Sequence, residues 1–281
     1  MHLLTAGDSW TFGSEIKDDG LPHTVSDWDP ENNAFRIPKI WPTLLSQRLN
    51  CKDHTNISYP ASSNDRIVRH TISWITEHYL HDKKDTSDLF VIVGFTSPER
   101  KDFYYKDPVD RNQHGWTTIW PNQTNHEYHQ RGMQAFFDNY RMYLWNEEEY
   151  LNRYVQQVTQ LQNFFTVHGI QYYFFQAFYN LDETGITQWV DKGYINSENE
   201  KMVVGESNPR WHFHYNNQPD NWIWKQVNSE RFYGYNKAPH TFHGFITQNA
   251  NGREVIGGMH PNPHGHVLWC HELGRCIEEL I

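Results

Sequence analysis

A mainly parallel β-sheet covered by helices on both faces is the fold class this sequence predicts. Three observations carry that expectation. Leu89-Phe90-Val91-Ile92-Val93-Gly94 and Ile170-Gln171-Tyr172-Tyr173-Phe174-Phe175 are strand-length runs without charge, as central strands buried on both faces require. Between them Leu151, Tyr154, Val155, Val158, Leu161 and Phe165 recur at helical spacing, and Gly169 offers a stop. Strand and helix alternate along the chain, which favours right-handed crossovers and a sheet wrapped on two sides.

The elements follow in order. His2-Leu3-Leu4-Thr5 reads as an opening buried strand, and Gly7 allows the sharp turn after it. Residues 14–37 are polar and rich in Asp, Asn, Pro and Gly, the composition of a long loop. Trp41 to Leu49 is a short helical pattern with Pro42 in its first turn, and Asn56 to Pro60 reads as the second strand. Asn64 or Asp65 can cap a helix carrying Ile67, Val68, Ile72, Ile75 and Leu80. Residues 101–129 are a polar excursion laced with Tyr104, Tyr105, Trp116 and Trp120, suited to the wall of a cleft. From Pro263 a last helix is expected, with Val267, Leu268, Cys270, Leu273, Cys276, Ile277 and Leu280 on its buried side.

The length of 281 residues fits one elaborated domain, residues 1–281, with an insertion or cap at about 180–250, where the strand–helix rhythm stops. Apolar residues are only 37% of the chain, but 12 Trp, 16 Tyr and 16 Phe can supply the missing buried area. Trp189, Trp211, Trp222 and Trp224 in that insertion are read as a small aromatic core, with stacking on a sugar or acyl group as the alternative. His212 and His214 share one face of a strand, but lack a third ligand at fixed spacing, so no metal site is assigned. A net charge of −10 disfavours a nucleic-acid partner. No run is apolar enough to span a bilayer, and no leading signal segment is evident, so the expectation is a cytoplasmic or virion-associated protein with no membrane partner. Three cysteines, Cys51, Cys270 and Cys276, are too few and too odd in number for a disulfide framework.

Four short blocks carry the chemistry. Gly7-Asp8-Ser9 places a serine where the first strand turns. Ala61-Ser62-Ser63-Asn64-Asp65-Arg66-Ile67 follows the second strand. Gly94-Phe95-Thr96-Ser97 ends the third, with Arg100 close behind as either an anion-steering group or a salt-bridged arginine. His260-Pro261-Asn262 stands near the far end, followed by His264 and His266, which are read as loop and cap residues. In this order the blocks resemble those of the SGNH (GDSL-type) serine hydrolase family.

The resemblance implies a three-layer α/β/α sandwich of flavodoxin-like type. It implies Ser9 as nucleophile and His260 as base, and an oxyanion held by the backbone N–H groups of Ser9 and Ala61. Ala61 stands at the family's glycine. Thr96 stands at the family's asparagine, so its hydroxyl, or the Asn64 amide, is the expected side-chain donor. Gly257 stands where the family places its acid three residues before the histidine. That leaves a Ser–His dyad, a backbone carbonyl, or an acid from elsewhere, with Glu254 and Asp8 as candidates. The implied activity is hydrolysis of an O-acyl ester, on a carbohydrate or a small molecule, and the chemistry calls for no cofactor and no metal. The alternative is a module on the same fold that has lost the chemistry and binds glycan or serves a virion.

Overall fold

The computed structural model describes residues 1–106, 114–119, 134–144, 147–177, 194–195, 201–202, 224–234 and 241–281. Trp120, Trp189, Trp211, His212, His214 and Trp222 lie outside them.

Among the described residues four strands form the central sheet: β1 (His2–Ala6), β2 (Asp53–Asn56), β3 (Leu89–Phe95) and β6 (Gln171–Gln176). Their order is β2-β1-β3-β6 and every pairing is parallel. The predicted fold class therefore holds, and the reason is visible in the alternation of side chains. Leu4, Ala6, Val91, Val93, Phe95, Tyr172 and Phe174 face one buried cluster. Leu3, Phe90, Ile92, Tyr173, Phe175 and Ala177 face the other.

Among the described residues two helices cover the first face. They are α4 (Asn64–Ile75) and α6 (Glu147–Val167), which contribute Ile67, Val68, Ile75, Tyr154, Val155, Val158, Leu161 and Phe165. The second face is covered by α3 (Trp41–Arg48), α7 (Phe242–Gln248) and α8 (Pro263–Glu278). Aromatics fill this side: Phe242 stacks on Trp269 with ring centroids 4.8 Å apart and meets Trp10 edge-on at 5.2 Å. Large rings thus stand in for the scarce aliphatics.

Several expectations shift. The second strand runs over Asp53–Asn56, ahead of the predicted 56–60, because the register pairs His2 with Asp53 and Thr5 with Asn56. Extended backbone nevertheless continues, with the Ile57 N–H donating to Thr5 O and the Tyr59 N–H to Gly7 O. The loop expected at 14–37 contains helical turns at Pro30–Asn32, at α2 (Asn33–Arg36) and at Ile37–Lys39. The excursion at 101–129 contains an antiparallel hairpin, β4 (Lys101–Lys106) with β5 (His114–Ile119); α5 (Gln134–Asn139) follows it, and a short antiparallel pair, β7 (Tyr194–Ile195) with β8 (Lys201–Met202), comes after β6.

The expected insertion at 180–250 is in its later part core. Val227 and Phe232 join the first cluster, and Tyr233, Phe242 and Ile246 join the second. The Tyr233 N–H donates to Phe174 O at the β6 edge. Val267 is exposed, so the buried side of α8 runs instead through His266, Trp269, Cys270, Leu273 and Ile277. Among the described residues no helix is long and apolar enough to cross a membrane.

Candidate active site

All strands of the sheet point the same way, so the segments leaving β1, β2 and β3 emerge at one edge, where ligands bind in open α/β sheets. The first three blocks lie there. Directly after β1, Asp8 caps the short helix α1 (Ser9–Phe12), accepting the Trp10 N–H at 3.0 Å. Ser9 is the first residue of that helix. Gly7 is required for a reason other than backbone freedom: a Cβ there would lie 2.3 Å from Thr11 Oγ1 and 3.2 Å from Gly94 O.

The second and third blocks are locked to the first. Thr96 is fully buried, and its hydroxyl donates to Asp8 Oδ2 at 2.6 Å. Asn64 is also fully buried. Its Nδ2 donates to Thr96 O at 3.0 Å, and its Oδ1 accepts the Thr96 N–H at 2.8 Å. This corrects the expectation that either side chain serves the oxyanion: the Thr96 proton is already given to Asp8, and the Asn64 amide grips the Thr96 backbone. Arg100 extends the network, with Nη1 3.6 Å from Asp8 Oδ2 and donating to Ser62 O at 3.1 Å. Ser63, rather than Asn64 or Asp65, caps α4 by accepting the Arg66 N–H at 3.1 Å.

Ala61 is exposed and has φ +59°, the left-handed region that glycine enters without steric cost. The backbone conformation of a glycine is thus kept without the glycine. Among the described residues no group accepts the N–H of Ser9 or of Ala61.

His260 arrives from the other end of the chain on a two-residue strand. β9 (Ile256–Gly257) and β10 (His260–Pro261) pair antiparallel, and β10 packs against α1, the helix that Ser9 begins. Asn262 fixes the exit from this turn. Its Oδ1 accepts the Gly265 N–H at the start of α8, and its Nδ2 donates to Glu254 O at 2.9 Å. Among the described residues neither Glu254, whose side chain is exposed, nor Asp8, which is committed to Thr96 and Trp10, is paired with the imidazole.

The carboxylate beside His260 is Glu15. Its Oε1 lies 3.1 Å from His260 Nδ1, although the alignment falls short of a hydrogen bond. Its Oε2 accepts the N–H groups of Met259 at 2.8 Å and of His260 at 3.2 Å. No reading of the sequence singled out Glu15. The one local signal is Gly258, at φ +66°, where a Cβ would sit 2.5 Å from Glu15 Oε2.

His266 is a buried residue of α8, contrary to its expected place in a loop or cap. Its Nδ1 accepts the Trp41 N–H at 3.2 Å, filling the role of the absent cap at the start of α3. Burial pushes its pKa down to about 3, with His260 and Arg36 acting in the same direction. It is therefore a neutral acceptor and no base.

A model described as a family of unknown function, DUF6071, matches residues 19–196. The chain belongs to this family. The DUF6071 match takes in the second and third blocks and leaves Ser9, Glu15 and His260 outside it. No curated protein matches the chain. Solved structures similar to this DUF6071 member include TesA, at 10% identity and TM-score 0.45 over all of both chains. The psychrotrophic esterase EstA from Pseudoalteromonas sp., inhibited by monoethylphosphonate, gives 10% and 0.44 over 99% of this chain and 97% of its own. A lipolytic G-D-S-L family protein from Veillonella parvula gives 9% and 0.37 over 97% and 95%. At such scores no residue role transfers, and the roles below rest on contacts within the chain.

Proposed function

We propose that this DUF6071 member hydrolyses O-acyl esters, with Ser9 as nucleophile and His260 as base. The observation that carries the reading is the packing of β10 against α1, which joins the helix begun by Ser9 to the strand bearing His260. Ser9 Oγ attacks the ester carbonyl carbon while His260 takes the hydroxyl proton. The tetrahedral oxyanion is held by the N–H groups of Ser9 and Ala61. Collapse breaks the bond to the alkoxide, which leaves with the proton from His260. Water then attacks the acyl-enzyme, giving up its proton to His260, and the acid is released as Ser9 recovers its hydrogen. The substrate class proposed is a carbohydrate O-acetyl or another small acyl ester.

A second reading, a glycan-binding or virion-associated module on the same fold, is favoured by one observation. Both side-chain candidates for the oxyanion, Thr96 and Asn64, are consumed by internal bonds. A short-chain nitrophenyl ester separates the two readings. Wild-type turnover that falls by about 10⁴-fold or more in Ser9→Ala, with fluorophosphonate labelling at Ser9, supports the enzyme. Equal inertness of both proteins, without labelling, sinks it.

A further inference from the structure

We propose that Glu15 is the positioning residue of the catalytic histidine, supplied by the loop that follows the nucleophile instead of by the block that holds His260. For its kinetic consequence this rests on the esterase reading; for its structural content it does not.

The geometry is built for a carboxylate at this place. Glu15 sits just beyond Gly13, which closes α1 in the left-handed region at φ +84°. Glu15 itself has φ +67°, a conformation uncommon for a residue with a side chain. Such an outlier persists only where its surroundings over-determine it. Here they do. The Glu15 N–H donates to Asp27 Oδ2. Asn32, fully buried, donates to Ile16 O and to Asp27 O at 2.8 Å each and accepts the Asp18 N–H at 3.1 Å. The loop thus closes on itself with Glu15 at its mouth.

On the far side the carboxylate meets a fitted surface. Two consecutive N–H groups, of Met259 and His260, point at Oε2. Gly258 leaves open the volume that any Cβ would take from the same oxygen. With Oε2 held there, Oε1 is left 3.1 Å from His260 Nδ1, a nitrogen that is buried and otherwise unbonded. A rotation of the imidazole that brings Nδ1–H into line with Oε1 would complete the hydrogen bond.

The consequence is a specified tautomer. A carboxylate facing Nδ1 keeps the proton there and leaves Nε2 as the acceptor for the Ser9 hydroxyl. It also stabilises the imidazolium that forms when that proton moves.

Two measurements on Glu15→Gln test this. The nitrogen-15 imidazole spectrum of His260 in the wild-type protein is expected to show the Nδ1–H tautomer, and in Glu15→Gln a mixture. In parallel, kcat on the nitrophenyl ester is expected to fall by on the order of a thousandfold with KM unchanged. Glu15→Asp, which keeps the charge on a shorter arm, recovers part of that loss. A merely structural role would lower thermal stability without altering the tautomer ratio. An unchanged ratio in Glu15→Gln overturns the assignment whatever the turnover. A wild-type protein without turnover but with the Nδ1–H tautomer lost in Glu15→Gln sinks the esterase reading and leaves the role of Glu15 standing.

Discussion

Asp8 and Glu15 are carboxylates on either side of the same short helix, and the molecule uses them in opposite ways. Asp8 has no solvent exposure and spends both oxygens internally, on the Trp10 N–H and the Thr96 hydroxyl. Through Thr96 it reaches Asn64, so one buried chain of bonds ties together the segments leaving β1, β2 and β3. Glu15 is exposed and is held at the rim by backbone N–H groups of a two-residue strand and the turn before it. The serine side is fixed by the core of the sheet. The histidine side is fixed by a loop and a turn that meet at the surface. In such a division a fault on the first side is paid in folding, and a fault on the second in orientation.

Asp8→Ala tests that division most strongly. It leaves the Thr96 hydroxyl without its acceptor and the Trp10 N–H uncapped, with Arg100 losing its nearby carboxylate. A loss of about 3 kcal/mol is expected, which for a chain of this size means roughly 6–12 °C in Tm. Thermal unfolding followed by circular dichroism checks it. Glu15→Gln should leave Tm within about 2 °C, since an amide oxygen still accepts the two N–H groups and surface substitutions are small effects. If the two variants lose equal stability, the contrast between core-held and surface-held carboxylates is wrong.

The next effect lies beneath the histidine turn and depends on pH. The pKa of His266 is pushed down to about 3 in the fold, against 6.5 for an ordinary histidine. Because the folded value is the lower one, the unfolded chain binds a proton that the folded chain refuses between those two values. Stability from this site is therefore complete above pH 6.5 and is lost as the pH falls toward 3, by about 1.4 kcal/mol per pH unit where the difference is one full proton. His54, held down to about 4 by burial, adds to the same slope. His266→Asn keeps an acceptor for the Trp41 N–H and removes the titration. Denaturant midpoints at pH 7, 5.5 and 4.5 should then fall less steeply than in the wild type. Parallel slopes would show that the imidazole is protonated in the folded protein.

What the sequence revealed divides along the same line. The strands were legible because uncharged runs such as Leu89 to Gly94 have one stable place, between two helical layers. The long helix was legible because Leu151 to Phe165 repeat at its period. Thr96 was recognisable as a departure from the SGNH-type block that the sequence resembles, but not the direction of its hydroxyl, which depends on a carboxylate in the segment leaving another strand. Glu15 was illegible in a different way. It stands in a stretch that also holds Asp18, Asp19, Asp27, Asp29 and Glu31. Nothing local separates one carboxylate there from another. Only the fold brings it to a backbone 245 positions further along. His266 shows the converse: the sequence assigns it to a loop or cap, and burial within α8 makes it the acceptor of the Trp41 N–H.

The smallest effect concerns the one place where the serine side carries strain. Ala61 occupies φ +59°, where a residue with a Cβ costs about 1–2 kcal/mol relative to glycine. Glycine in turn raises the entropy of the unfolded chain, worth about 0.5–1 kcal/mol in the other direction. Ala61→Gly is therefore expected to gain about 0.5–1 kcal/mol, seen as a higher denaturant midpoint at unchanged slope. Ester turnover should stay near the wild-type rate, because the N–H assigned to the oxyanion is kept. A gain in stability with a large fall in turnover would mean that the methyl group itself confines the substrate. A loss of stability would mean that the turn holds Ala61 by contacts stronger than its backbone strain.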